Sequence, residues 1–284
     1  MTDHSAPASD SAELNAGRPR RLLEAVLAVA VWMALGMAFH LDANAYLLLG
    51  IPITVVFQVG VRRAPLQALW VRSAPPLRLD LPTAAFAVVL AVRPAYGLFR
   101  VLQSHPDWIV IGWWTAALGG ALACAYALRS FNRVTAWATL GCLATAGLIG
   151  VAVMAAGAYT QDIPLRQPVD MAVLGAKWIS AYLPMTFVME EVFFRGALDA
   201  HLHHPGESKG ILTALCTSVL WGAWHYPVVA HAASLPALLL QLIGVQVLVG
   251  VPLSLWWRKC GNLFATGLTH AVIDTVRNIL FSGL

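Results

Sequence analysis

The sequence predicts an all-α fold, a polytopic integral membrane bundle of about eight or nine transmembrane helices. Of the 284 residues, 59% are hydrophobic and only 11% are charged, and the mean hydropathy is +0.70. Soluble domains carry about 25% charged residues, so this chain lacks the polar side chains that a water-exposed surface needs. The 48 residues from Gly210 to Trp257 contain no Asp, Glu, Lys or Arg, which is enough apolar chain to cross a bilayer twice. The composition excludes a disordered protein and disfavours a soluble enzyme.

The first apolar run, residues 22–39, follows a polar N-terminal segment. Residues 1–21 are rich in Ser, Ala and Asp and end in basic residues, which is typical of a disordered cytoplasmic tail. The run holds 18 residues, more than the roughly 7–15 of a signal-peptide core, and this favours an uncleaved first helix over a cleaved leader. The other predicted helices are residues 43–61, 82–102, 108–128, 134–158, 171–200, 211–230, 235–257 and 263–283.

Basic residues in the connections indicate how these helices are oriented. With the N-terminus inside, twelve Arg and Lys residues lie in inner segments, whereas Arg166 alone lies in an outer loop. The positive-inside rule therefore favours a cytoplasmic N-terminus. It also favours counting 82–102 as a helix in spite of Arg93 and Arg100, because its removal would turn later basic loops outward. The twelve are Arg18, Arg20, Arg21, Arg62, Arg63, Arg72, Arg78, Arg129, Arg133, Lys209, Arg258 and Lys259.

Neither the charge nor the cysteines indicate a further partner. The net charge is +4, but the sequence has no basic stripe that alternates with aromatic residues. We therefore expect the protein to contact the lipid bilayer and not to bind nucleic acid. The four cysteines lack C-x-x-C spacing, and three of them lie inside apolar runs. No disulfide framework and no thiolate metal site is indicated.

Ionisable residues inside the predicted helices concentrate in the last third of the chain. The main ones are Glu190, Glu191, Arg195, Asp199, His225, His270 and Asp274, whereas Lys177 and Arg277 rank lower as site candidates. Such side chains are costly in hydrocarbon and tend to be functional. At 1.5 Å per residue, Glu190, His225 and His270 lie about 20, 21 and 12 Å from the inner ends of their helices. We therefore expect a buried polar site between three helices, in a cavity open to the inner face.

Sequence spacing predicts which of these residues pair. Glu191 and Arg195 are four residues apart and share a helix face, whereas Glu190 points about 100° away. His270 and Asp274 have the same spacing, so the carboxylate can orient the imidazole. A purely structural pair that sets helix register remains an alternative for Glu191 and Arg195.

The second of these helices adds an aromatic side chain to the predicted site. Trp221 precedes His225 by one helical turn and is expected to form an apolar wall beside it. A structural alternative also exists here, because an intramembrane histidine can form hydrogen bonds between helices.

Three motifs on successive predicted helices resemble the CPBP family, the CAAX proteases and bacteriocin-processing enzymes also called Abi proteins. Residues 190–196, E-E-V-F-F-R-G, resemble the motif E-E-x-x-x-R. Residues 221–225 resemble F-x-x-x-H, and residues 270–274 resemble H-x-x-x-N/D. The resemblance covers about residues 170–275, and the first 160 residues match only as generic membrane helices. We divide the chain accordingly into a tail (1–21), N-terminal transmembrane helices (22–160) and a catalytic transmembrane core (161–284).

The resemblance implies an intramembrane endopeptidase of the bacterial inner membrane that acts on a protein or peptide substrate in or at the membrane. It implies that Glu190 and His225 activate water, that His270 and Asp274 complete the site, and that Glu191 and Arg195 support it. Trp221 replaces the usual Phe, which is a mild change at a packing position. Asp274 stands where several members have Asn, and an ionised Asp cannot donate to an oxyanion as an Asn amide can.

Three questions stay open at the sequence level. The family has been described both as metalloproteases and as glutamate-type proteases, and without an H-E-x-x-H motif a reaction without cofactor is preferred here. The alternative is a catalytic zinc held by Glu190, His225 and His270. A non-proteolytic membrane scaffold or bacteriocin-immunity protein could share the fold. A proton-coupled transporter is disfavoured because the sequence has no internal repeat.

Overall fold

The computed structural model describes residues 18–104, 106–203, 210–229 and 234–281. In this part of the chain the regular structure is helical, and β-type pairing is limited to one antiparallel bridge between Val71 and Asn262. The predicted all-α fold is confirmed. Residues 1–17 of the predicted tail lie outside the described residues, and the first helix begins at Arg18.

The helices follow the predicted apolar runs. In chain order they are α1 (Arg18–Ala38), α2 (Ala43–Val56), α3 (Leu81–Gln103), α4 (Trp108–Arg129), α5 (Arg133–Cys142), α6 (Leu148–Thr160), α7 (Pro168–Thr186), α8 (Ala200–Leu202), α9 (Ile211–Trp224), α10 (Tyr226–Val229), α11 (Leu235–Leu239), α12 (Gln246–Cys260) and α13 (Phe264–Phe281). A 3₁₀ turn covers Leu66–Leu69, and wider π-helical segments cover Phe57–Val61, Leu143–Gly147, Val192–Asp199 and Leu240–Val245. Three of the π segments extend or join α-helices, and the fourth, Val192–Asp199, leads into α8.

Within the described residues, six helices are long and apolar enough to cross a membrane. They are Arg18–Ala38, Ala43–Val61, Leu81–Gln103, Trp108–Arg129, Arg133–Thr160 and Pro236–Cys260. The chain is therefore a multi-pass membrane protein. Helices α7, α9 and α13 also coincide with predicted spans but are shorter or more polar, so the total of eight or nine stays a prediction.

Acidic and amide side chains define where four of the helices begin. Asp42 accepts from the backbone amides at the start of α2, and Asp107 does the same for α4. Asn132 caps α5, and Asp80 accepts from both the amide and the hydroxyl of Thr83 in α3. These two bonds hold the pKa of Asp80 below its usual range. Caps of this kind satisfy amides that lack a partner inside the helix, which is why the helices begin within a residue of the predicted positions.

The predicted helix 171–200 is divided in the structure. Helix α7 ends at Thr186, and a turn over 187–189 separates it from the π-helical segment Val192–Asp199. The helix ends in tighter turns, because the amide of Phe187 bonds to the carbonyl of Pro184 at 3.1 Å and the amide of Val188 to the carbonyl of Met185 at 3.0 Å, each only three residues back. Glu190 therefore starts a new segment at the end of this turn.

A buried aromatic cluster fixes α1 and α2 against the end of α9. The indole N–H of Trp32 donates to the carbonyl of Tyr46 at 2.9 Å, and the Tyr46 hydroxyl donates to the carbonyl of Trp224 at 2.8 Å. Phe193 and Phe194 complete the cluster from the π-helical segment. Because Trp224 immediately precedes His225, this cluster holds that histidine in place.

The connection between α2 and α3 folds back against the helix ends, and we call residues 62–72 the return segment. Gly196 lies so close to the carbonyl of Leu69 that a Cβ atom would not fit there. The indole N–H of Trp70 donates to the carbonyl of Phe187 at 2.7 Å, and Val71 pairs with Asn262. The return segment therefore closes one end of the bundle beneath the turn over 187–189.

Candidate active site

Glu190 and His225, which the family resemblance implies act together, face each other across two helical segments. His225 Nε2 lies 3.6 Å from Glu190 Oε2. His225 Nδ1 lies 2.8 Å from the carbonyl of Trp221, and a carbonyl only accepts, so Nδ1 carries a proton. In the neutral ring Nε2 is then an acceptor. A water molecule that donates to both Nε2 and the carboxylate fits this arrangement.

His270 lies between two carboxylates. Its Nδ1 is 3.1 Å from Glu191 Oε1, and its Nε2 is 3.6 Å from Asp274 Oδ2. The predicted proximity of His270 and Asp274 is confirmed, whereas the bond to Glu191 was not predicted. Only the Glu191 distance is a hydrogen bond, because 3.6 Å exceeds the usual range. Because Nδ1 donates to a carboxylate, Nε2 carries an N–H only when the ring is the imidazolium cation, and in that form this N–H is available to another acceptor.

The predicted pair of Glu191 and Arg195 is also confirmed. Arg195 Nε lies 3.7 Å from Glu191 Oε2, and both side chains are fully buried. The guanidinium lies over the ring of Trp221, 4.9 Å from its centroid. Within the described structure none of its three nitrogens has hydrogen-bond geometry to a partner. The cation is therefore held by one carboxylate and one aromatic face.

Trp221 has a polar contact that the sequence-based prediction missed. We expected an apolar wall, but its indole N–H donates to Glu190 Oε2 at 3.0 Å. Its ring also lies beside both histidines, with centroids 5.6 Å from His225 and 5.5 Å from His270. Phe at this position could pack in the same way but could not donate. The replacement of Phe by Trp was therefore the signal available in the sequence.

Asp274 is shared between His270 and a second basic group. Arg277 Nη1 lies 3.0 Å from Asp274 Oδ1, so the carboxylate is paired on both sides. The Arg277 side chain is 48% exposed and lines the same cavity as the two histidines. An Asp between two basic groups is suited to orienting them rather than to donating a hydrogen bond.

These groups line a cavity of about 360 Å³. Glu190, His225, His270, Asp274 and Arg277 lie on its wall, together with apolar side chains from α2, α4, α7 and α10. Glu191 and Arg195 are not part of the wall, because they are buried behind it. The side chains on the cavity wall can therefore contact a substrate. Glu191 and Arg195 cannot, and they can act only by positioning the side chains of the wall.

The cavity reaches one end of the helical bundle. Its wall includes Ala43 and Asn44 at the start of α2 and Val229 at the end of α10. These helix ends lie opposite the basic connections. The return segment, which sequence alone does not position, lies at the other end of the bundle, and the opening to the inner face that we expected from sequence stays a prediction.

Asp199, the remaining ionisable residue, lies away from the cavity. Its two carboxylate oxygens accept from Arg258 at 2.9 and 2.7 Å, and both side chains are largely buried. Arg258 also donates to Thr213 Oγ1 and to the carbonyl of Gly210. This ion pair joins the end of the π-helical segment to α9 and α12.

The alternative zinc ligands do not form a ligand set. Among the described residues no group of three or more His, Cys, Asp and Glu side chains is placed to hold a metal ion. The two ring nitrogens of His270 lie 3.1 Å from Glu191 Oε1 and 3.6 Å from Asp274 Oδ2, so each of them already faces a carboxylate. We therefore derive no reaction step through a metal.

Comparison with known families agrees with the motifs. Residues 172–276 match the family model of the Rce1-like type II CAAX prenyl endopeptidases, which confirms the resemblance to the CAAX proteases. The matched segment contains the six predicted site residues and covers the chain from α7 into α13. No curated protein and no solved structure gives a significant match.

Proposed function

Because residues 172–276 match the family model of CAAX-type endopeptidases, we propose that this chain hydrolyses a peptide bond of a membrane-associated or C-terminally processed protein. The observation that carries the proposal is the position of Glu190 beside His225 on the wall of a cavity. Peptide hydrolysis needs an activated water, a proton for the leaving amine and stabilisation of the oxyanion. The groups on the cavity wall fit these three requirements.

Glu190 and His225 activate the water in this proposal. The water oxygen attacks the carbonyl carbon of the substrate and forms the new C–O bond while its proton passes to Glu190 or to His225 Nε2. The same proton then moves to the amide nitrogen as the C–N bond breaks, which releases an amine and a carboxylic acid. Trp221 holds Glu190 Oε2 in position through the 3.0 Å bond.

His270 stabilises the charge that develops on the carbonyl oxygen. In this proposal His270 is an imidazolium: its Nδ1–H bonds to Glu191, and its second N–H, on Nε2, lies beyond hydrogen-bond distance of Asp274 and can donate to the oxyanion. Glu191 fixes the opposite side of the ring, and Asp274 orients both His270 and Arg277. In this proposal Glu191 and Arg195 are positioning residues, and no metal takes part.

The experiment is a comparison of protein termini in cells that make the wild type or Glu190→Gln at equal membrane levels. A terminus found only with the wild type supports the proposal and names the substrate. His225→Ala should abolish the same terminus. Glu24→Gln is the matched control, because this carboxylate belongs to α1 and pairs with Arg20 and His201 instead of lining the cavity. If all four proteins give identical termini and rescue a deletion phenotype equally, the non-proteolytic scaffold replaces the protease.

A further inference from the structure

We propose that the cavity opens to the extracytoplasmic face of the membrane, so that the substrate is a peptide segment at the outer surface. The chemistry of the cleavage rests on the proposed function. The access route rests on separate observations: where the cavity wall lies along the helices, what closes its other end, and how the charges are distributed.

Positions along three helices show that the cavity reaches one end of the bundle. Asn44 is the second residue of the helix Ala43–Val61, and Val229 is the last residue of α10. Arg277 lies 13 residues beyond Phe264, which is about 20 Å along α13. All three side chains line the cavity. It therefore extends from Glu190 toward the end at which α2 begins and α10 ends.

The opposite end of the bundle is closed by the return segment. Leu69 and Val71 are buried, and the backbone of Leu69 packs against Gly196. Arg62 donates to the carbonyl of Gly196 at 2.9 Å. The amide of Arg72 donates to the carbonyl of Gly261 at 2.7 Å. These contacts tie the return segment to the π-helical segment and to the residues that precede α13. A separate hollow at this end is lined by Arg72, Ser130 and Lys259 among others, and none of the proposed catalytic side chains lies on its wall.

The closed end carries most of the basic residues of the connections. Those in the described part of the chain are Arg62, Arg63, Arg72, Arg78, Arg129, Arg133, Arg258 and Lys259. The connections at the open end instead carry Asp42, Asp107 and Asp162, with Arg166 as a basic residue. Basic connections stay on the cytoplasmic side, so the open end is the extracytoplasmic one.

This orientation restricts the substrate class. The mouth of the cavity would receive the membrane-proximal segment of an exported or membrane-anchored protein, with its apolar part lying between the helices. A prenylated C-terminus in the cytoplasm would meet the closed end. The proposed substrates are therefore exported proteins, whereas cytoplasmic lipid-modified ones are excluded.

Cysteine accessibility tests the access route without any need for proteolysis. The four native cysteines are first replaced by Ala, and Asn44→Cys or Ser73→Cys is then introduced singly. Asn44 is exposed at the mouth of the cavity, and Ser73 is exposed beside the return segment. A membrane-impermeant maleimide should label Asn44→Cys in intact cells and Ser73→Cys only after permeabilisation. The reverse pattern would overturn the proposal.

A third variant tests the cavity itself. Thr186 lines the cavity and its side chain is largely buried, so only a reagent that enters the cavity reaches Thr186→Cys. A small charged thiosulfonate should modify it in intact cells but not when added to the outside of inverted vesicles. Modification only in inverted vesicles would place the opening on the cytoplasmic side and overturn the proposal. Either result is independent of cleavage, so failure of the protease assay would affect only the proposed function.

Discussion

The indole of Trp221 donates a hydrogen bond to Glu190, with Nε1 3.0 Å from Oε2, the same oxygen that lies 3.6 Å from His225 Nε2. One carboxylate oxygen is thus held by a donor on the helix that also carries the histidine. Trp221 lies in α9 and His225 at its end. The positions of both side chains relative to Glu190 therefore depend on how this one helix packs.

The variant Trp221→Phe tests this contact. It keeps an aromatic ring between the two histidines but removes the donor, and hydrogen bonds to charged groups contribute about 1.5–3 kcal/mol. We expect kcat/KM to fall about ten- to a hundredfold. The matched control is Trp224→Phe, whose indole nitrogen is buried without a hydrogen-bond partner in the described structure. An equal loss in both variants would show that only packing matters.

Glu191 is expected to stabilise the fold through Arg195 and to position His270. Removing one partner of a buried ion pair costs about 3–5 kcal/mol, so Glu191→Leu should lower the thermal midpoint in detergent strongly. The double variant Glu191→Leu/Arg195→Leu removes both charges and should recover most of the stability. It should not recover kcat, because His270 still lacks the bond to its Nδ1. Recovery of both quantities would contradict the positioning function.

Asp274 is expected to orient its neighbours without being required as a donor. Asp274→Asn keeps the size and one acceptor oxygen, so we expect kcat/KM to stay within about tenfold of the wild type. Asp274→Ala leaves Arg277 and His270 without this partner and should be at least about tenfold worse than the Asn variant. Measuring both variants in the same cleavage assay separates the alternatives. Equal activity of the Asn and Ala variants would remove Asp274 from the site.

Asp199 should matter for stability and not for catalysis. It is fully buried and bonds to Arg258, so Asp199→Asn leaves a largely buried guanidinium without its counter-charge, at a cost of about 3–5 kcal/mol. We expect a lower thermal midpoint and an unchanged kcat per folded molecule. Glu24→Gln, which weakens a partly exposed pair, should change stability by about 1 kcal/mol or less. A loss of kcat in folded Asp199→Asn would connect this pair to the site.

Most helix boundaries could be predicted from sequence because two local signals coincide. Long apolar runs require helices in a membrane, and Asp42, Asp80, Asp107 and Asn132 cap the starts. The pairs Glu191–Arg195 and His270–Asp274 could be predicted for the same reason, since each lies four residues apart on one chain segment.

Contacts between segments could not be predicted in this way. The bonds from Trp221 to Glu190 and from His270 to Glu191 depend on how α9 and α13 are rotated against the turn over 187–189. The side on which the cavity opens depends on the return segment, whose sequence shows only a Pro- and Arg-rich connection. Such contacts arise from packing over distances that local spacing does not describe.

The geometry of the site also predicts that the activity does not depend on a metal ion. A catalytic zinc needs three protein ligands around one point, and among the described residues Glu190, His225 and His270 do not form such a group. We expect purified protein to keep its activity after dialysis against a chelator and to contain far less than one equivalent of zinc. Elemental analysis of the wild type and Glu190→Ala, prepared side by side, checks this. Near-stoichiometric zinc that is lost in Glu190→Ala, together with activity restored by added zinc, would mean that the three side chains rearrange around a metal and would replace the carboxylate–histidine mechanism.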